Sequence, residues 1–170
     1  MVKWSDHSRP EECSVGARVV PNMSDIAAPS SDTLTADDLD FLSRPLLGFF
    51  STATGPTPPQ PRPVWFEATA DGEIQLFTGP DSLKVRRLAA DPRASIVVAT
   101  PVEERERWIS VSGPTRIETD GPAARELAAR LADRYWDLDD PTRAQDLAEI
   151  LADDWVRIVI RPDKIRRLSF

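Results

Sequence analysis

The chain has 170 residues, 41% of them hydrophobic, which is enough for one domain with a real core and too few for two. Its formal charge is −7; eight of the 28 acids and three of the 21 cations fall in the first 40 residues, so the remainder is near neutral, with 20 acids against 18 cations, and too balanced for a broad nucleic-acid surface. A single histidine, His7, and a single cysteine, Cys13, exclude a Ser-His-Asp triad, an intrachain disulfide or a His- or Cys-rich metal site from the body of the chain.

Residues 1–33 mix Pro, Ser and acids without a sustained apolar period, and a disordered leader is expected there. Met23 offers a second start position within it. The leader has no apolar stretch of signal-peptide length, and nowhere do 18 apolar residues run together. A soluble, cytoplasmic protein with no membrane partner is therefore expected.

The folded domain is expected over 34–170. In "LTADDLDFLSRP", Thr35 is a plausible N-cap for a short helix ending near Pro45, with Asp37 and Asp38 at the positive end of its dipole. Strand signals follow at 46–54, 62–69, 73–79, 93–100 and 107–119, rich in β-branched and aromatic residues, and the C-terminal "WVRIVIRPDKIRRLSF" adds a sixth. The second and third are expected to form a hairpin across "ADG". A short helix, "SLKVRRLAAD", separates the third and fourth strands. Two more, "PAARELAARLADRYW" and "PTRAQDLAEILADD", precede the last, with Leu127, Leu131 and Tyr135 on one face of the first and Leu147, Ile150 and Leu151 together on the second. This order predicts a mainly β domain, a small six-stranded antiparallel barrel with peripheral helices.

The cations of "DSLKVRR" stand out in an acidic chain. Asp81 or Ser82 is placed to cap that helix, and Lys84 lies in its first turn, where a cation is unfavourable unless an anion is bound. Thr78, Ser82 and Lys84 would then supply two hydroxyls and an ammonium to a phosphate. The alternative is a solvated face of Lys84, Arg86 and Arg87 opposite Leu83 and Leu88 in the core. Trp65 and Trp108 are equally open, since aromatic residues on strands also serve cores and interfaces.

Taken in order, Val64-Trp65-Phe66, Thr78, Ser82, Lys84, Leu88, Asp91-Pro92-Arg93, Trp108 and Gly113 resemble the flavin- and deazaflavin-binding split β-barrel family, which includes the pyridoxamine 5′-phosphate oxidase-like proteins. The likeness runs from about Leu34 to the C-terminus. It implies a split β-barrel that pairs into a homodimer with two equivalent clefts, each holding one flavin or deazaflavin ring. Thr78, Ser82 and Lys84 would hold the phosphate, Gly79 would also bind the cofactor, and Pro63, Val64 and Trp65 would lie along the ring. Trp108 would come from the partner chain. Two departures stand out: the proline-rich connection "GPTPPQPRP" (55–63), and Arg87, a further phosphate contact or a solvated cation, where asparagine is common.

The resemblance implies an oxidoreductase that uses coenzyme F420, or FMN, to transfer hydride to or from a small organic substrate, the cofactor supplying the chemistry that a body without histidine lacks. The Ala-, Arg- and Asp-rich composition is similar to that of high-GC bacteria that use deazaflavin, which favours F420. A non-catalytic carrier of a flavin, F420 or a tetrapyrrole is the alternative, because fold does not settle function. Pyridoxamine 5′-phosphate oxidation is a third; it needs a second basic cluster, for which only "RPDKIRR" offers charge. No catalytic side chain and no metal ligand is identified, and Tyr135 is expected to pack its helix.

Overall fold

The computed structural model describes residues 33–170, so all of the expected leader except Thr33 lies outside the described residues. The fold is a split β-barrel of antiparallel strands with four helices. The strands are β1 (Gly48–Thr52), β2 (Arg62–Val64), β3 (Glu67–Ala68), β4 (Ile74–Thr78), β5 (Arg93–Ala99), β6 (Arg107–Glu118), β7 (Val156–Ile160) and β8 (Lys164–Ser169). The helices are α1 (Ala36–Leu42), α2 (Leu83–Ala90), α3 (Gly121–Tyr135) and α4 (Pro141–Ala152).

Eight strands replace the six expected because two of the strand signals each divide. The 62–69 segment breaks at Trp65 and Phe66: β2 pairs with β1, whereas β3 pairs with β4. The expected hairpin is therefore confined to Glu67 and Ala68 opposite Gln75 and Ile74. Pro63 has no amide to donate and is tolerated because β2 ends the row of strands. The C-terminal segment breaks at Pro162, and β7 and β8 pair with different halves of β6.

Strand β6 joins the two sheets. Its first half, residues 107–112, pairs with β8, and its last residues, 115–118, pair with β7, while β5 runs along its other edge from Trp108 to Pro114. Gly113 lies at the change of partner. A Cβ there would stand 2.0 Å from the Arg161 carbonyl oxygen, so only glycine admits the β7–β8 connection so close. That connection is fastened by the Arg161 amide donating to the Pro114 carbonyl (3.0 Å) and the Asp163 amide to that of Ser112 (2.9 Å).

The barrel interior is apolar: Phe50, Phe66, Ile74, Leu76, Ile96, Ile109, Ile158 and Ile165 are all buried in one cluster. On β7, Ile158 and Ile160 face inward. Val159 is also buried, because α3 covers the outer face with Leu127, Ala128 and Leu131. Strands β4 and β7 are thus buried on both faces, which explains why their runs are nearly continuous in apolar residues. The face of α4 carrying Leu147, Ile150 and Leu151 is only half-buried, against α3. Among the described residues no helix is long and apolar enough to cross a membrane.

The N-terminal helix is locked to the barrel by charge. Thr35 caps α1, its hydroxyl accepting from the Asp38 amide (3.2 Å) while the Asp38 carboxylate accepts from the Thr35 amide (2.8 Å). Asp38 is only 2% exposed, and Arg167 of β8 donates to both of its oxygens at 2.6 to 2.9 Å. Burial alone would raise the Asp38 pKa; the bonds from Arg167 and Thr35 outweigh it and hold the carboxyl below its ordinary 3.8. The folded state therefore disfavours protonation, so this stabilisation is complete above 3.8 and lost as pH falls through the depressed value. Asp38→Asn, which leaves Arg167 half-paired in a buried site, is expected to cost about 3 kcal/mol near neutral pH. It should also flatten the acid limb of stability in urea denaturation; an acid limb as steep as the parent's would place the acid sensitivity on other carboxylates.

Candidate functional site

The split between the two sheets opens onto an aromatic-walled cleft. Residues Pro63, Val64 and Trp65 leave sheet edge β2 and cross toward β3, so their side chains line the gap instead of closing it. Opposite them lie Phe77 and Thr78 at the end of β4, with Trp155 brought alongside because Val156 pairs with Thr78. Leu47 and Lys84 complete a cleft of about 470 Å³. That volume is in the range of small-molecule and cofactor pockets.

The walls are held by ring contacts. Trp65 stacks on Tyr135 with centroids 5.2 Å apart and planes at 6°, and Trp136 meets Trp65 edge-on at 4.7 Å. Phe77 and Trp155 form a second edge-on pair at 4.9 Å. Helix α3 is tied to this wall by polar bonds: Arg130 donates to Glu67 (2.9 Å), Arg134 to the Phe66 carbonyl (3.0 Å) and the Tyr135 hydroxyl to the Leu46 carbonyl (2.6 Å). Burial raises the Tyr135 pKa, so its proton stays on the hydroxyl and engaged with Leu46. Tyr135 does pack its helix, and it does so against the cleft.

At the foot of the cleft stands the N-terminus of α2. Ser82 is its N-cap, and its hydroxyl accepts from the Val85 amide (3.3 Å). Leu88 enters the core, but Leu83 is 57% exposed, so the helix does not divide into one apolar and one solvated face. Lys84 is half-buried and has no ion pair or hydrogen bond among the described residues. Burial lowers its pKa, and the neighbouring Arg62 lowers it further. The Thr78 side chain is 6% exposed, yet its hydroxyl also has no partner among the described residues and is not sealed from the cleft. An uncompensated cation beside an idle hydroxyl, both bordering one cavity, suits an anionic group such as a phosphate.

The structure thus gathers Pro63, Val64, Trp65, Thr78 and Lys84 around one cleft, with Ser82 capping the helix beneath it. Gly79 follows Thr78, and nothing lies within 4 Å of where its Cβ would be, so the residue is open on that side. Arg87 is elsewhere: it borders a smaller cavity under the proline-rich loop, shared with Lys84 and Arg62. Trp108 lies on β6 opposite Ala99 and Leu168 and does not line the cleft of its own chain. Leu47, Phe77, Trp155 and Arg62 were not singled out from sequence. Arg62 had a signal, being a cation two residues before Val64 on the same strand; Trp155 had none, since only the β4–β7 register brings it to Thr78.

The family model described as Pyridoxamine 5′-phosphate oxidase matches residues 34–167. No curated protein matches the chain. Among solved structures, the conserved hypothetical protein Rv2991 from Mycobacterium tuberculosis is 24% identical with a TM-score of 0.60, covering 82% of this chain and 88% of its own. An F420 reductase is 26% identical with a TM-score of 0.55, over 74% and 93% of the two chains. General Stress Protein 26 from Bacillus anthracis shares the fold at 20% identity and a TM-score of 0.52, over 77% and 94%.

The Tyr135 contacts separate by substitution. Tyr135→Phe keeps the stack and loses one hydrogen bond, an expected cost of about 1 kcal/mol in urea denaturation. Tyr135→Leu is expected to cost roughly 1 kcal/mol more and to erase the near-ultraviolet circular dichroism of the Trp65 stack. Equal spectra for the two variants would mean that Trp65 is held without Tyr135.

Proposed function

The chain belongs to the pyridoxamine 5′-phosphate oxidase family, and from that premise we propose that it is an oxidoreductase using coenzyme F420, with FMN as the alternative, in the Trp65–Trp155 cleft. The observation that carries this reading is that Lys84 and Thr78, at the foot of an aromatic-walled opening, have no side-chain partner among the described residues. Pro63, Val64 and Trp65 would lie along the ring, and Thr78, Ser82 and Lys84, with the Gly79 backbone, would receive the phosphate. When bound, the cofactor supplies hydride transfer to or from a small organic substrate. The chain's own residues bind and orient: Tyr135 and Trp136 fix the plane of Trp65, and no histidine or cysteine lies among the described residues to move a proton. The likeness to an F420 reductase supports deazaflavin over FMN.

Lys84→Ala is expected to weaken the phosphorylated cofactor by about ten- to a hundredfold, the loss of one charge-assisted contact. A phosphate-free ring analogue should lose far less, and the melting of the ligand-free protein should barely change. Equal losses for both ligands would move Lys84 to the ring or to folding. Anaerobic turnover with reduced F420 and with reduced FMN then decides between enzyme and carrier, since a protein that binds the ring but passes no hydride to any acceptor is a carrier.

The cleft is open, and a homodimer would close it. The outer face of the β1–β5–β6 sheet carries Phe49 and Val97, directly opposite each other in the register and 46% and 37% exposed, with Ala99 and Trp108 one row away. An exposed apolar strip on a sheet supports burial against a second copy, which would bring Trp108 to the partner's cleft. Sedimentation is expected to give about twice the 18.9 kDa chain mass. Val97→Glu should yield monomers that bind cofactor poorly; a cofactor-saturated monomer of the parent chain would refute the shared cleft.

A further inference from the structure

Trp65 and Phe66 lie between β2 and β3 and belong to neither ladder, so side-chain contacts and not strand pairing must fix their place. The Phe66 carbonyl accepts from Arg134 at 3.0 Å. Arg134 in turn meets Glu67 at 3.8 Å, and Arg130, one turn earlier on α3, donates to both Glu67 oxygens at 3.3 and 2.9 Å. Gln75, directly opposite Glu67 in the β3–β4 register, donates its side-chain amide to the same carboxylate at 2.6 Å. One carboxylate thus gathers both arginines at the end of α3 and an amide from β4, next to the segment that carries the Trp65 ring.

Each of these partners is a donor. Oε2 accepts from Gln75 and Arg130, while Oε1 faces Arg130 and Arg134. An ionised carboxylate accepts on both oxygens, whereas an amide of the same shape must turn its own NH2 group against donors on one side. Gln75 cannot relieve that conflict by turning over. It is 6% exposed, and its Oε1 accepts from Arg157 (3.2 Å), a side chain that only donates, so its NH2 group is committed to Glu67. Burial alone would raise the Glu67 pKa; the bonds and charge of Arg130 lead the effects that outweigh it and hold the carboxyl below its ordinary 4.5. Beyond Arg157 the contacts run outward to Glu118 and Arg116, and Arg116 has a second acid of its own in Glu73.

We propose that Glu67 is a positioning residue for the aromatic cleft: its carboxylate holds Arg130 and Arg134 in place, and through them sets the end of α3 against residues 65–66. Glu67 does not line the cleft itself. Tyr135 and Trp136 directly follow Arg134, and they are the two rings that contact Trp65, so the arginine that holds the Phe66 carbonyl also fixes where both rings stand. The inference concerns the wall of the ligand-free protein. Only its consequence for a cofactor rests on the proposed function.

The test is the near-ultraviolet circular dichroism of the ligand-free full chain, with urea denaturation alongside. Glu67→Gln is expected to remove most of the signal of the Trp65 stack while unfolding stays cooperative. In a Trp65→Phe background the same substitution should leave the spectrum nearly unchanged, which assigns the effect to that ring. Arg116→Met, at the outer end of the network, is expected to lose stability and keep the spectrum. Should Glu67→Gln fail to fold, Arg134→Lys, which keeps the charge and gives up the guanidinium fork, is expected to weaken the same signal. Cofactor binding is the second readout: Glu67→Gln should weaken F420 and a phosphate-free ring analogue alike, by roughly tenfold, because the ring wall is no longer preorganised. If neither F420 nor FMN binds the parent chain, the proposed function fails while the spectra still decide the role of Glu67. The proposal is overturned if folded Glu67→Gln, or Arg134→Lys in its place, keeps the parent spectrum. It is equally overturned if the change persists without Trp65, or if Arg116→Met lowers the signal as much as Glu67→Gln.

Discussion

The change of partner along β6 is the constraint from which the rest of the molecule follows. One strand of 12 residues serves two sheets, and it does so because Gly113 lets the Arg161 carbonyl approach to a distance that any side chain would block. With that approach, β8 closes on the first half of the strand and β7 on the second. The sheets then diverge, and residues 63–66 must cross between them. The cleft is the place where they cross, so its aromatic wall and the glycine in β6 answer to one geometric demand.

Around the opening, polar bonds carry the positioning and aromatic contacts carry the surface. Arg130, Arg134 and Tyr135 attach the end of α3 to β3 and to the segment before β1, and Trp65 is thereby pressed flat against Tyr135. Each bond has a protein partner, so this wall is complete without a ligand. The helix at the foot differs. Half-buried Lys84 and the Thr78 hydroxyl, both bordering the cleft, have no partner among the described residues. Such incomplete pairing beside a cavity is the physical mark of a binding site, whereas the paired arginines elsewhere account for structure.

The proline-rich loop gives this family member a corner of its own. Prolines stiffen the connection, the Thr54 hydroxyl binds it to α2 by donating to the Arg87 carbonyl, and the Thr52 hydroxyl donates to the Thr54 carbonyl within it. Lys84 borders both the cleft and the cavity under this loop, and burial, with the neighbouring Arg62, lowers its pKa.

Much of the fold was legible from the sequence because local rules govern it. Runs rich in β-branched and aromatic residues marked the strands, Thr35 and Ser82 marked helix starts, and Leu127 and Leu131 marked the buried face of α3, all of which depend on residues a few positions apart. The cation-bearing helix stood out for the same reason, since charge in a first turn is a local conflict. Tertiary pairing decided what adjacency along the chain does not encode: that 62–69 is divided between two sheets, that Trp155 reaches Thr78, that Leu83 is exposed, and that Arg87 borders the cavity under the proline-rich loop and not the cleft. Those facts depend on register between strands distant in sequence and on the path of a connection, and both are set only when the whole barrel closes.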